Sequence, residues 1–250
     1  MIDSHCHLDF CEPPVAELVE RARAAGVWRL ATVGTDSESI EQALAAAREH
    51  PGVVAVVGRH PHETTGFGDG DLETLERAAA TPEARAIGET GLDYYRDYAP
   101  HEDQRRAFEA QLELAARVRL PVVIHTRAAE DDTFAMLGEH ADRLPAVVLH
   151  CFSAPGRLDE CVERGYFCSF AGNLTYPKAV ELHAAARSVP DELLLVETDS
   201  PYLSPQPVRG RPNEPANVVH TARFLAELRG TRYDEIERIV EANAERVFGP

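Results

Sequence analysis

Two periods alternate along this chain. Short β-branched and apolar runs stand at Met1–His5, Trp28–Val33, Val53–Gly58, Ala84–Gly88, Val122–His125, Val147–His150, Tyr166–Phe170 and Leu193–Glu197, and read as strands. Between them, apolar residues recur every three or four positions over Val15–Ala25, Ser37–His50, Leu72–Ala80, His101–Val118, Ala129–Glu139, Arg157–Arg164 and Pro177–Ser188, the spacing of amphipathic helices with Gly or Pro near their ends. Strand alternating with helix predicts a parallel sheet. Eight such units in 250 residues match the size of an α/β protein of the (β/α)8, or TIM, barrel type. A doubly wound open sheet is the rival, but no GxGxxG follows the first strand to support it. No linker, repeat or low-complexity tract divides the chain, so residues 1–250 are expected to form one domain. A proline-rich loop, Asp199–Asn213, follows the eighth strand, and two further C-terminal helices, about Pro215–Leu228 and Tyr233–Val247, are expected to pack on the barrel.

Composition narrows the partners. The 25 Lys and Arg against 42 Asp and Glu leave a formal charge of −17, which excludes a broad basic face that grips nucleic acid by replacing phosphate counterions. Any phosphate chemistry must then rest on a local positive source. No run approaches the roughly twenty apolar residues of a spanning helix, and the N-terminus lacks a basic segment followed by an apolar one, so no membrane association is expected. Five cysteines, an odd number without a CxxC pair, point to reduced thiols and a cytoplasmic location. No obligate protein partner is evident.

The chemistry-bearing residues gather at strand ends. His5 and His7 form an HxH pair, and side chains two apart on a strand face the same way, so both imidazoles can reach one metal. Such a pair alone is weak, and a buried carboxylate or histidine alone is more often a salt bridge or a hydrogen-bonded core residue. Here, however, Glu89 ends strand four, His125 strand five and His150 strand six, and Asp199 follows strand eight. Four histidines and two carboxylates on one barrel rim predict a metal site. Six groups exceed what one tetrahedral zinc takes, and a carboxylate can bridge two cations. The mixed ligands suit Zn, Mn, Ni or Co, with Mg less well matched to imidazole. On strands, Cys6 and Cys151 would point away from their histidine neighbours, which disfavours a cysteine nucleophile.

Several blocks of this sequence occur together: His5-Cys6-His7-Leu8-Asp9, Gly58-Arg59-His60-Pro61-His62, Ala86-Ile87-Gly88-Glu89-Thr90-Gly91-Leu92-Asp93-Tyr94-Tyr95, Pro121-Val122-Val123-Ile124-His125, His150-Cys151-Phe152-Ser153, Glu197-Thr198-Asp199-Ser200-Pro201-Tyr202 and Asn213-Glu214-Pro215. In order and spacing they resemble the TatD family of metal-dependent hydrolases, a branch of the amidohydrolase-like barrels, over essentially the whole chain. The resemblance implies a divalent-metal-dependent deoxyribonuclease with 3′-to-5′ exonuclease activity. It implies that His5, His7 and Asp199 hold one ion, that His125 and His150 hold a second, and that Glu89 bridges them. Some amidohydrolases bridge their metals with a carbamylated lysine on strand four; here Glu89 has that place and Lys178, the only lysine, lies far away in sequence. Three places depart from the family pattern: Ala154 where glycine is usual, Leu174–Lys178 where relatives often read Thr-Phe-Lys-Asn, and Arg211-Pro212 where two basic residues are common. They touch the expected substrate loops and leave the ligand set intact.

The expected reaction is phosphodiester hydrolysis of DNA, at single-stranded or 3′ ends. Asp199 is the candidate base for the attacking water, and His62 a candidate phosphate contact or leaving-group acid. His60 is read as structural, its His-Pro bond fixing the backbone before His62. Arg209 and Arg211 lie in an acid-free stretch, Ser200–Asn213, and are candidate phosphate ligands, with a solvated loop charge as the alternative. Tyr94 and Tyr95 read as packing over the barrel mouth rather than as base-stacking groups. Two other classes stay open: a hydrolase of another ester, amide or aminoacyl-tRNA bond on the same two-metal centre, and a noncatalytic metal-bound protein.

Overall fold

The computed structural model describes residues 1–250. Strands and helices alternate throughout: β1 (Ile2–Cys6), α1 (Val15–Ala24), β2 (Arg29–Gly34), α2 (Ser37–Glu49), β3 (Val53–Val57), α3 (Asp69–Ala79), β4 (Ala84–Asp93), α4 (His101–Val118), β5 (Val122–Arg127), α5 (Glu130–His140), β6 (Val147–Leu149), α6 (Leu158–Arg164), β7 (Phe167–Phe170), α7 (Val180–Ser188), β8 (Leu194–Val196), α8 (Val218–Arg229) and α9 (Tyr233–Phe248). The strands form one parallel sheet in sequential order, β1 to β8. Their apolar, mostly β-branched side chains are buried on both faces, as Val56, Val57, Val123, Ile124, Leu195 and Val196 illustrate. Helices cover the outer face, which is why the strands read as apolar runs rather than as alternating ones. This is the expected (β/α)8 barrel.

The barrel closes without a regular β8–β1 ladder. Beyond β8 the chain bridges to β1 between Ser200 and Cys6, where the His7 N–H donates to Ser200 and the Asp199 N–H to His5, each at 2.9 Å. Below this seam, the buried Asp3 carboxylate accepts from the Thr198 N–H at 2.8 Å and the Thr198 hydroxyl at 2.6 Å. Helix α9 packs across β8 and β1, and its Asn243 amide donates to the carbonyls of Asp191 and Leu194. The C-terminal helices therefore cover the seam.

Helix ends follow local chemistry. Asp36 caps α2 by accepting from the N–H groups of Glu38 and Ser39, and the Ser39 hydroxyl in turn accepts the Asp36 N–H, a reciprocal cap worth about 1 kcal/mol. Helix α7 begins at Val180 and α8 at Val218, each three residues later than the periodicity suggests, because a proline turn precedes it. No helix is long and apolar enough to cross a membrane.

The largest departure from expectation is β4. It runs to Asp93, past Gly88, with its register against β5 shifting between Ile87 and Thr90. Gly91 lies within this extension at φ 137°, paired with His125, and a Cβ there would stand 2.0 Å from the His125 carbonyl oxygen. Only glycine lets the two strands approach so closely beside the site. Asp93 ends the strand by accepting the N–H groups of Tyr95 and Arg96 at 3.0 and 2.8 Å, which turns the chain over the barrel mouth.

Candidate metal centre

Strand ends and the seam bring the imidazoles and carboxylates into one cleft of about 440 Å³, bounded by His7, Glu89, His125, His150 and Asp199 among others. It opens at the C-terminal ends of the strands, where this fold carries its chemistry.

On one side, His5 Nε2 and His7 Nε2 face each other at 3.3 Å. Glu89 Oε2 lies 3.3 Å from the first and 3.7 Å from the second, and Asp199 Oδ1 lies 4.0 and 3.6 Å away. Ligand bonds of about 2.0–2.2 Å in tetrahedral array would place donor atoms about 3.3–3.6 Å apart, close to the distances by which each carboxylate oxygen stands from the two imidazole nitrogens. Two ring nitrogens converging on each other amid carboxylate oxygens are poor hydrogen-bond partners and good metal ligands. The seam makes this convergence possible, since its hydrogen bonds tie residue 5 to residue 199.

On the other side, Glu89 Oε1 lies 2.7 Å from His125 Nδ1, 2.9 Å from His150 Nε2 and 3.3 Å from His60 Nε2. The two oxygens of Glu89 thus face two different nitrogen sets. The outer nitrogens of three rings are held by acceptors: His125 Nε2 by Asp93 at 3.2 Å, His150 Nδ1 by Glu197 at 3.1 Å and His7 Nδ1 by the Val33 carbonyl at 3.3 Å. Such partners set the tautomer that leaves the inner nitrogen free to ligate. His5 Nδ1 is buried with no partner. Asp199 itself sits at φ 55°, a left-handed conformation that Asp tolerates better than most residues.

Electrostatics agree with a site built for positive charge. Burial opposes ionisation of Glu89, yet the charges of His150 and His60 and the bonds from His125 and His150 hold its carboxyl well below the usual range. Asp199 is likewise held low against burial by His7, His150 and His5. Burial disfavours charge on His125, His150 and His7 too, but neighbouring carboxylates outweigh it and raise all three. His60 goes the other way: burial outweighs the pull of Glu89 and brings it down to about 4, a neutral imidazole at physiological pH.

All six candidate ligands named from the sequence therefore meet in one place. His60 does more than the sequence reading allowed: its Nδ1 does accept the His62 N–H at 3.1 Å, but its Nε2 also reaches Glu89, because the short 3-10 turn Pro61–Glu63 folds back over the rim. His62 lines the cleft, with Nε2 2.9 Å from Asp93. Arg209 and Arg211 do not line it. The Arg209 guanidinium lies over the Tyr176 ring, 3.7 Å from its centroid, and Arg211 is exposed on the loop. Tyr94 packs against His101, with ring centroids 3.8 Å apart, whereas Tyr95 is exposed. Cys6 donates to the Ala31 carbonyl, and burial pushes the Cys151 thiol well up, so neither offers a nucleophile.

Asp93, Arg96 and Arg127 are among the cleft residues that the sequence reading missed. For Asp93 a signal existed: Glu89, Gly91 and Asp93 share one strand face at i, i+2 and i+4, hidden only by ending the strand at Gly88.

A parallel (β/α)8 barrel with clustered histidines and carboxylates at the C-terminal rim defines a metal-binding barrel of the hydrolase type. Comparison with known proteins is more specific. Residues 2–249 match the family model described as TatD related DNase, and the chain belongs to that family. It is 41% identical over 261 residues to an uncharacterized metal-dependent hydrolase TatD of Mycobacterium tuberculosis, covering 100% of this chain and 98% of that protein. It is 37% identical over 239 residues to a 3′-5′ ssDNA/RNA exonuclease TatD of Citrobacter rodentium, covering 93% of this chain and 91% of that protein. The crystal structure of a TatD homologue, YjjV of Escherichia coli, superposes with a TM-score of 0.93 at 32% identity, covering 100% and 98% of the two chains.

Proposed function

We propose that this protein is a two-metal phosphodiesterase that removes nucleotides from single-stranded nucleic acid ends, DNA foremost, in the 3′-to-5′ direction. The division of Glu89's two oxygens between two nitrogen sets carries this reading, because a bridging carboxylate is what a two-ion hydrolytic centre requires. In the proposed assignment His5, His7 and Asp199 hold one ion, His125 and His150 the other, and Glu89 both; Zn, Mn, Ni, Co and Mg are the candidate metals. The names of the exonuclease relatives support nucleic acid as the substrate. Residues 1–250 act as one catalytic domain, and the five free thiols suit a reducing cytoplasm.

When bound, the cations would lower the pKa of a water and neutralise charge on the phosphoryl oxygens. Asp199, partly exposed to the cleft, accepts the water's proton. His62, oriented by Asp93, faces the cleft from the opposite wall and supplies the leaving oxygen with a proton. Glu89 stays ionised throughout, held so by the imidazoles around it.

The test is an assay of metal-loaded protein on a 3′-labelled oligonucleotide beside aryl ester and aryl amide substrates, with metal content measured. Glu89→Gln and Asp199→Asn are expected to lower oligonucleotide turnover by about 10³-fold or more, and Glu89→Gln to lose bound metal. Full activity in both variants would overturn the centre. Turnover of the ester or amide alone would overturn the nucleic acid substrate.

A further inference from the structure

The cleft has a second layer above the ligands, and its residue types are unusual for this acidic surface. Arg96 and Arg127 are its only cationic side chains other than imidazoles. Other arginines nearby are paired with carboxylates, as Arg59 is with Asp71, Arg105 with Asp132 and Arg157 with Glu160; Arg96 and Arg127 are not. Arg127 instead rests on the Tyr95 ring, 4.1 Å from its centroid, which holds its fork in place without using its N–H donors.

Aromatic rings gather at the same mouth. The protein exposes five large aromatic side chains, and four of them, Phe10, Tyr95, Tyr98 and Tyr202, stand around this one opening. Tyr98 meets His62 edge-on at 4.8 Å. On the opposite wall, Phe10 and Tyr202 lie 5.7 and 6.3 Å from His7. Single exposed aromatic side chains need no explanation, but three tyrosines and a phenylalanine on one charged rim form a surface for flat ligands.

Asp93 fixes this layer relative to the ligands. One of its oxygens holds the backbone that carries Tyr95 and Arg96, and the other faces His125 and His62. In the β4–β5 register the backbone of Arg127 stands opposite that of Asp93, two residues beyond His125. Two residues of strand advance about 6.6 Å, a step comparable with the separation of neighbouring phosphates on an extended strand.

Resting on the phosphodiesterase reading above, we propose that Arg96 and Arg127 bind the phosphate next to the scissile one, while Tyr98 on one wall and Tyr202 with Phe10 on the other stack on the adjoining bases. The mouth thereby recognises an unpaired strand by one flanking phosphate and the faces of its bases, with positive charge confined to two side chains.

Arg127→Ala and Arg96→Ala test the phosphate contact on two substrates: a 3′-labelled (dT)6 and bis(p-nitrophenyl) phosphate, which has no flanking phosphate. The loss in kcat/KM on (dT)6 is expected to exceed the loss on the small diester by tenfold or more, with Arg127→Lys intermediate. Binding supplies the independent readout. In a metal-loaded Asp199→Asn background, anisotropy of labelled (dT)6 should show removal of both arginines together reducing the slope of log K against log[salt] by about 0.7, the share of one phosphate. Tyr98→Ala and Tyr202→Ala should weaken binding of (dT)6 by about tenfold and that of an abasic hexamer by less. Equal losses on both substrates, an unchanged salt slope, or equal losses on (dT)6 and the abasic strand would overturn the proposal. A wild type inactive on every oligonucleotide would instead overturn the nucleic acid reading on which it rests.

Discussion

Glu89 is buried among imidazoles yet ionised, and the reason is that charge, not solvent, surrounds it. The same balance predicts how stability depends on pH once a chelator has removed bound metal. His7, His125 and His150 have raised values in the folded protein; the stability they contribute is complete below their unfolded pKa of about 6.5 and is lost as pH rises through the folded values. His5 and His60 are lowered, the latter to about 4, so their burial costs stability as pH falls below about 6.5. Glu89 and Asp199 are held low and lose their contribution at still lower pH. Metal-free protein is therefore expected to melt highest near pH 6.5. A saturating divalent ion, replacing the protons of the raised histidines, should flatten the alkaline arm; thermal denaturation from pH 4 to 9 with and without Mn²⁺ checks this, and an alkaline arm indifferent to the ion would contradict it. At this scale the histidines and carboxylates that line the cleft were legible, because such residues at strand ends are rare enough to stand out. Asp93 was not, since its importance lies in what its two oxygens touch.

Element β4 shows why strand boundaries matter to function. The apolar run ends at Gly88, yet the strand continues through Glu89 and Asp93 because Gly91 permits close approach to β5 at His125. Gly91→Ala is accordingly expected to cost at least about 2 kcal/mol and to weaken metal binding as well, since any relief must move the strand that carries His125. Chemical denaturation and metal titration measure the two effects, and a variant unchanged in both would remove the close-approach explanation. The seam between β1 and β8 is a second such element. Periodicity located both strands, but the hydrogen bonds that bring His5 beside Asp199 join residues almost a chain length apart. No local pattern encodes them.

For the whole molecule, a charge of −17 sets the terms on which a polyanion can approach. Two guanidiniums and a cationic centre offer few phosphate contacts, so binding of a single strand should show a log K against log[salt] slope no steeper than about −2, where six contacts would give about −4. A steeper slope, measured by anisotropy between 50 and 300 mM salt, would mean an extended basic path that the structure does not contain. By itself the sequence determined the architecture and the kind of chemistry: strand and helix periods are local, and their alternation admits few topologies, while residue type at a strand end limits what that end can bind. Only the tertiary structure decided which nitrogen of each imidazole turns inward, how Glu89 divides its oxygens, and which arginines reach the cleft. Arg209 and Arg211 lie on an acid-free loop, but that loop packs so that Arg209 covers Tyr176, whereas Arg127 ends β5 and Arg96 stands in the turn that Asp93 holds just beyond β4. Side-chain direction depends on packing between distant segments, and that information exists only once the barrel has closed.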